Sequence, residues 1–203
     1  MITTSHLTLA YGDRVVLEDF SSSFAQGSIT AILGVNGCGK STLLAALAGD
    51  ISPAAGEITI GGTSIHEMKK SQLSKMRSLA QQSHQYWMAY TANEILRLGH
   101  EDIAGDRFSY LIEKLGISDY VNQSVTTLSG GQLQRIEIAR ALLRQLPIVM
   151  LDEPFASQDL KSITAITGLL REEAAAGRTV LLVAHARRED LSWCDQVIEI
   201  SAR

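Results

Sequence analysis

Cysteine is almost missing from this chain: two residues, Cys38 and Cys194, among 203. Two thiols make no disulfide framework, and the reading they favour is a reducing, cytoplasmic setting. Proline is equally sparse, with three residues, and no Pro/Gly/Ser-rich linker, internal repeat or low-complexity tract marks a hinge. Excess positive charge is lacking too. Lys and Arg number 18 against 22 Asp and Glu, a formal charge of −4, so no basic field points to nucleic acid. Apolar runs such as "IVML" and "LLVA" fall far short of the ~18 residues a membrane span needs. The opening "MITTSHLTLAYGDR" has no basic stretch leading into an apolar one, which predicts no signal peptide. What remains is one soluble domain of 203 residues, 45% hydrophobic and 20% charged, long enough for one core. Any membrane role has to come through a partner.

Three continuous apolar runs are present: "ITAIL" (29–33), "IVML" (148–151) and "TVLLVA" (179–184). Continuous rather than alternating hydrophobicity predicts parallel strands covered on both faces. Each run ends in polar chemistry: a Gly-rich loop, then Asp152-Glu153, then His185. Sites in open α/β sheets form beyond the carboxyl ends of strands, so these three features are expected to converge. Between the last two strands, "LKSITAITGLLREEAAAG" predicts a crossover helix, with Ile163, Ile166 and Leu170 on one face and Gly177 just past its end. "HLTLAYG" and "GEITIGG" alternate and are bounded by glycine, as half-buried antiparallel strands are. Residues 84–146 lack strand runs and read as mostly helical. The class is α/β.

"GVNGCGKS", Gly34 to Ser41, fits G-x-x-x-x-G-K-[ST], and it follows a predicted strand and opens a predicted helix (Lys40 to Ala48). Glycines let backbone amides wrap phosphates, Lys40 supplies a point charge to the terminal phosphates, and Ser41 suits Mg²⁺. In the loop, the backbone of Cys38 rather than its thiol is expected to bind. Asp152 suits a direct or indirect hold on Mg²⁺. Glu153 suits a general base that polarises an attacking water. A lone histidine is more often structural, but on this sheet edge His185 is a contact to the γ-phosphate and the water.

"LSGGQLQRIEIARALL" (128–143) poses a different question. Ser129 has the chemistry of a helix N-cap. A simple cap does not need Gly130 and Gly131, which cost conformational entropy on ordering. Paired glycines imply that something approaches the backbone closely. A second anion cradle therefore follows the first, 89 positions after Lys40.

This stretch resembles the signature motif of the ATP-binding cassette (ABC) ATPases, and the resemblance extends over nearly the whole chain in the right order. "GVNGCGKST" resembles the Walker A loop, which implies ATP contacts from Gly34, Val35, Asn36, Gly37, Cys38, Gly39, Lys40, Ser41 and Thr42. Tyr11 resembles the aromatic that stacks on adenine. In "LAQQ", Gln82 resembles the Q-loop glutamine, implied at the metal and the attacking water; the choice over its neighbour Gln81 rests on the family resemblance alone. "IVMLDEP" resembles Walker B with its catalytic glutamate, Asp159 the D-loop aspartate of dimer communication, and His185 the switch histidine. The implied fold is a P-loop NTPase: a RecA-like core with an antiparallel β subdomain (1–83 and 147–203) and an inserted α-helical subdomain (84–146). In this family two cassettes pair head to tail, so Ser129, Gly130, Gly131 and Gln132 would meet the partner's ATP. Two positions depart from the pattern. The D-loop reads "FASQD", with Gln158 where an apolar residue is usual, and "AHAR" lacks the aspartate that often follows the switch histidine.

The resemblance implies a cytoplasmic ATPase bound to the inner face of the membrane through an integral-membrane permease, using ATP and Mg²⁺ and paired with itself or with a second ABC ATPase. The alternative is a soluble ABC ATPase acting on nucleic acid or ribosomes. Such relatives usually carry tandem cassettes or a long coiled-coil insertion, and this chain has neither a second cassette nor a heptad stretch. "EILRLGH" and its spacing from the Q-loop resemble ATPases of metal-chelate and cobamide uptake. Tyr86, Trp87 and Tyr90 follow the Q-loop, where such subunits receive a permease helix. Core packing is the competing reading for all three.

Overall fold

Two kinds of strand pattern sort this chain into two sheets. The computed structural model describes residues 1–81, 86–99 and 105–201. Along them run β1 (Ile2–Tyr11), β2 (Arg14–Phe24), β3 (Ile29–Gly34), α1 (Lys40–Leu47), β4 (Ala55–Ile60), β5 (Thr63–Ser64), α2 (Lys70–Leu73), β6 (Arg77–Ala80), α3 (Ala92–Arg97), α4 (Gly105–Lys114), α5 (Gly130–Leu143), β7 (Ile148–Asp152), α6 (Leu160–Ala175), β8 (Thr179–Val183) and β9 (Gln196–Ile200).

The three apolar runs are β3, β7 and β8, neighbours in a five-stranded sheet of order β6-β7-β8-β3-β9 whose recorded pairings are all parallel. Every residue of β7 and β8 is buried, because alternate side chains enter different cores. Ala31, Leu33, Val149, Leu151, Val180 and Leu182 face a core shared with helices α3 to α6. Ile32, Met150, Leu181 and Val183 join Leu43, Leu44 and Leu47 of α1 and the antiparallel sheet in the other. Covering both faces removes the polar side of the period-2 pattern, hence the continuous runs. Each buried Leu, Ile or Val contributes roughly 1.5–3 kcal/mol of transfer free energy.

The alternating stretches lie in the second sheet, order β2-β1-β4-β5, with β1 antiparallel to both β2 and β4. Between 86 and 146 the described residues hold α3, α4, α5 and two 3₁₀ turns, and their one β-bridge pairs Thr91 with Ser124. The crossover helix α6 is capped at both ends. Asp159 Oδ1 accepts from the Ser162 amide at 2.7 Å. At the other end Gly177, at φ 85°, donates to the Ala174 carbonyl at 2.8 Å, and Arg178 donates to that of Glu173 at 3.1 Å, a paired closure that uses the left-handed glycine. No helix among the described residues is long and apolar enough to cross a membrane.

Candidate functional site

The carboxyl ends of β3, β7 and β8 open onto one cavity of about 1050 Å³, lined by Tyr11, Asn36 to Thr42, Glu153 and His185, with Arg14, Val15 and Val16 of β2. The loop after β3 turns on glycine for steric reasons. Gly39 has φ 102°, and a Cβ there would lie 2.7 Å from Val16 Cγ1. A Cβ at Gly34 would stand 2.4 Å from the Ile200 carbonyl oxygen. Gly39 also starts α1 with no side-chain cap, so the positive end of the helix dipole faces the cavity. Lys40, only 5% exposed, donates from Nζ to the carbonyls of Gly34 at 2.8 Å and Val35 at 3.0 Å. The ammonium therefore crowns the loop with one of its three donors left over.

Asp152 ends β7 inside the wall. The Ser41 side chain hydrogen-bonds to it, and burial pushes its carboxyl above the usual range, the Glu153 charge adding to the rise while Ser41 and Lys40 oppose it. Its Oδ1 is buried with no hydrogen-bond partner among the described residues. A recess of about 340 Å³ adjoins Tyr11, Ser41 and Thr42 and is lined also by Gln81 and Asp152. A buried carboxyl oxygen without a donor, beside a hydroxyl, is a hard-oxygen pair that would suit Mg²⁺. No group of three His, Cys, Asp or Glu side chains able to hold a metal occurs among the described residues.

Glu153 takes φ 51°, a costly backbone for a non-glycine residue. Its amide is fixed by the Val183 carbonyl at 3.0 Å. Adjacent strands therefore deliver the two side chains together, with His185 Nε2 2.7 Å from Glu153 Oε1. Tyr11, 56% exposed, closes β1 at the cavity mouth.

Ser129, Gly130, Gly131 and Gln132 do not line this cavity. Ser129 caps α5: its Oγ accepts from the Gln132 amide at 3.3 Å, and Gln132 Oε1 accepts from the Ser129 amide at 2.9 Å. The inference from paired glycines divides here. A Cβ at Gly131 would sit 2.5 Å from the Ser157 carbonyl oxygen, whereas at Gly130 nothing lies within 4 Å. Gly131 is thus required by its own chain, and only Gly130 is left for an outside approach. Asp159 spends its carboxylate on the α6 cap, and that backbone hydrogen bond holds it below the usual range. Gln82, assigned to the metal and water, lies outside the described residues. The three aromatics separate: Tyr86 is partly buried and donates to Glu137 of α5, Trp87 is 89% exposed and Tyr90 37%. Sequence reasoning passed over Arg14, Val15 and Val16. The signal was the "YGDR" turn between two strand-like stretches.

The ABC transporter family model matches residues 17–156. The chain belongs to the ABC transporter family. Its ABC cassette is 34% identical over 195 residues to the iron(3+)-hydroxamate import ATP-binding protein of Bacillus subtilis (strain 168), covering 91% of this chain and 72% of that one. It is 32% identical over 216 residues to a hemin import ATP-binding protein of Rhizobium meliloti (strain 1021), covering 100% of this chain and 82% of that protein. The solved dimeric bacterial ABC transporter cassette MJ0796 superposes with a TM-score of 0.85 at 25% identity, over 99% of this chain and 94% of that one. The cassette is an ATPase that energises a membrane ABC transporter. These relatives give no support to the nucleic-acid alternative.

Proposed function

We propose that the cavity is the ATP site and that hydrolysis is carried by the residues gathered there. The single observation behind this reading is the Glu153–His185 contact at 2.7 Å in the cavity that the Lys40 loop also lines. In it Tyr11 stacks on the adenine. The amides of loop 34–39 and of Ser41 and Thr42 wrap the phosphates, and Lys40 turns its remaining donor to them. Ser41 and Asp152, with Gln82, hold Mg²⁺, which when bound neutralises phosphate charge. Glu153 positions and deprotonates the attacking water, and His185 orients Glu153 and contacts the γ-phosphate.

A second cassette, identical or homologous, completes the site by presenting Ser129, Gly130, Gly131 and Gln132 to the γ-phosphate. Asp159 lies between the two sites. Support comes from the exposure of this turn away from its own cavity and from the solved cassette dimer. Residues 1–83 and 147–203 act as the ATP-binding body and 84–146 as the helical one. Exposed Trp87 and Met88 offer the surface for a permease at the inner face of the membrane. Import of a metal chelate is the transport role that "EILRLGH" and the iron-hydroxamate and hemin relatives favour.

Glu153→Gln is the deciding variant. Loss of a positioned base should cut steady-state hydrolysis by about 10²–10⁴-fold while nucleotide binding is kept and an ATP-bound dimer accumulates in size-exclusion chromatography. Hydrolysis at the wild-type rate would remove Glu153 from the mechanism.

A further inference from the structure

The residue that departs from the family's D-loop pattern makes a bond of its own. After Glu153 the chain folds through two tight turns, with Ala156 donating to the Glu153 carbonyl at 3.1 Å and Gln158 to that of Phe155 at 3.2 Å. Ser157 takes φ 57° inside the second. This reversal brings the Ser157 carbonyl against Gly131, and the side chain of Gln158 donates from Nε2 to the Gly131 carbonyl at 2.9 Å. An apolar side chain at 158 has no donor for that oxygen. Two further links tie the same helix to the same segment: Gln134 Nε2 reaches the Asp152 carbonyl at 3.5 Å, and Arg135 Nη1 reaches Ser162 Oγ at 3.3 Å. Of the three, the Gln158 bond is nearest the exposed turn and has the shortest donor–acceptor distance.

We infer that Gln158 is a positioning residue that makes the 129–132 turn and the turn carrying Glu153 move as one body. The inference rests on the shared-site reading above. If the turn contacts the partner's nucleotide while Glu153 acts on the chain's own, a bond joining them inside one subunit links occupancy of one ATP site to the geometry of the other. A net hydrogen bond of ordinary strength changes such a closing equilibrium by roughly twofold to tenfold. The side chain is partly exposed, so its replacement leaves the core untouched.

Gln158→Glu keeps the shape and removes the donor, and Gln158→Leu removes polarity at similar size. Both are compared with wild type in three readouts: binding of a fluorescent ATP analogue at chain concentrations too low for pairing, ATP-driven dimerisation in a Glu153→Gln background, and the Hill coefficient of ATP hydrolysis. Wild-type monomer affinity, a dimer weakened roughly twofold to tenfold and a Hill coefficient falling toward that of independent sites are the expected results. A purely structural role would not move the Hill coefficient while sparing monomer affinity. Unchanged dimerisation and cooperativity in both variants overturn the coupling role alone. A wild-type chain that binds ATP yet never pairs overturns the shared-site reading, and the inference falls with it.

Discussion

Helices α1 and α5 both use glycine at their start, Gly39 as the cap of α1 and Gly130-Gly131 as the first residues of α5, and the two turns treat an anion differently. At α1 the glycine cap leaves the first amides to the cavity, Lys40 opens the helix itself, and the ends of β7 and β8 supply Asp152, Glu153 and His185 to the cavity and its adjoining recess. At α5 the first amides are partly satisfied within the chain by the Ser129–Gln132 capping box, and the turn does not line that cavity. A helix N-terminus alone is therefore only part of a phosphate site. What completes the first is Lys40 and the carboxylates delivered by β7; on the shared-site reading proposed above, a second cassette completes the second.

Lys40→Ala tests the contrast most severely. A charge-assisted hydrogen bond to phosphate is worth about 1.5–3 kcal/mol, so nucleotide affinity of the unpaired chain should fall about tenfold to hundredfold, read by titration with a fluorescent ATP analogue. Ser129→Ala should leave that affinity alone. Equal weakening by both variants would break the distinction between a self-sufficient turn and a borrowed one.

The glycines of the α5 turn sharpen it further. Gly131→Ala places a methyl group 2.5 Å from a backbone oxygen, and the shift this forces should cost about 1–3 kcal/mol in chemical denaturation. Gly130→Ala meets open space at a helical position and should stabilise the chain by up to about 1 kcal/mol. It should nevertheless weaken ATP-driven pairing. A Gly130→Ala chain that pairs like wild type would mean that nothing approaches this backbone closely.

How much of this was readable beforehand depended on how local each cause is. Burial on both faces writes itself into continuous runs, so β3, β7 and β8 were legible, and with them the meeting of the Gly-rich loop, Glu153 and His185. The four-residue edge strand β6 was not, since "RSLA" is too short to show a period. β2 was missed too, and with it the cavity wall formed by Arg14, Val15 and Val16. The reason for Gly131 was illegible in principle: it depends on Ser157, brought back across the turns that follow Glu153. Gln158 stood out as a departure, but its acceptor, the Gly131 carbonyl, is far away in sequence. Local chemistry was visible, and contacts between distant segments were not.

The smallest effect separates the two turns by their cost to stability. Burial raises the Asp152 carboxyl above its usual range, so the folded state holds its proton more tightly than the unfolded chain does. This group's favourable contribution is then fully present below the unfolded pKa and is lost as pH rises through the folded one. Above the unfolded pKa the burial of this group opposes folding, and Asp152→Asn should melt at a higher temperature than wild type near neutral pH in the absence of nucleotide and Mg²⁺. The gap should close as pH falls toward the ordinary carboxylate value of about 4. Ser129→Ala should instead lose about 1 kcal/mol of capping with little dependence on pH, because neither partner in that cap titrates. An Asp152→Asn chain less stable than wild type near neutral pH would show that the charge-assisted part of its Ser41 hydrogen bond and its attraction to Lys40 outweigh its burial. The α1 turn would then cost the fold no more than the α5 turn does.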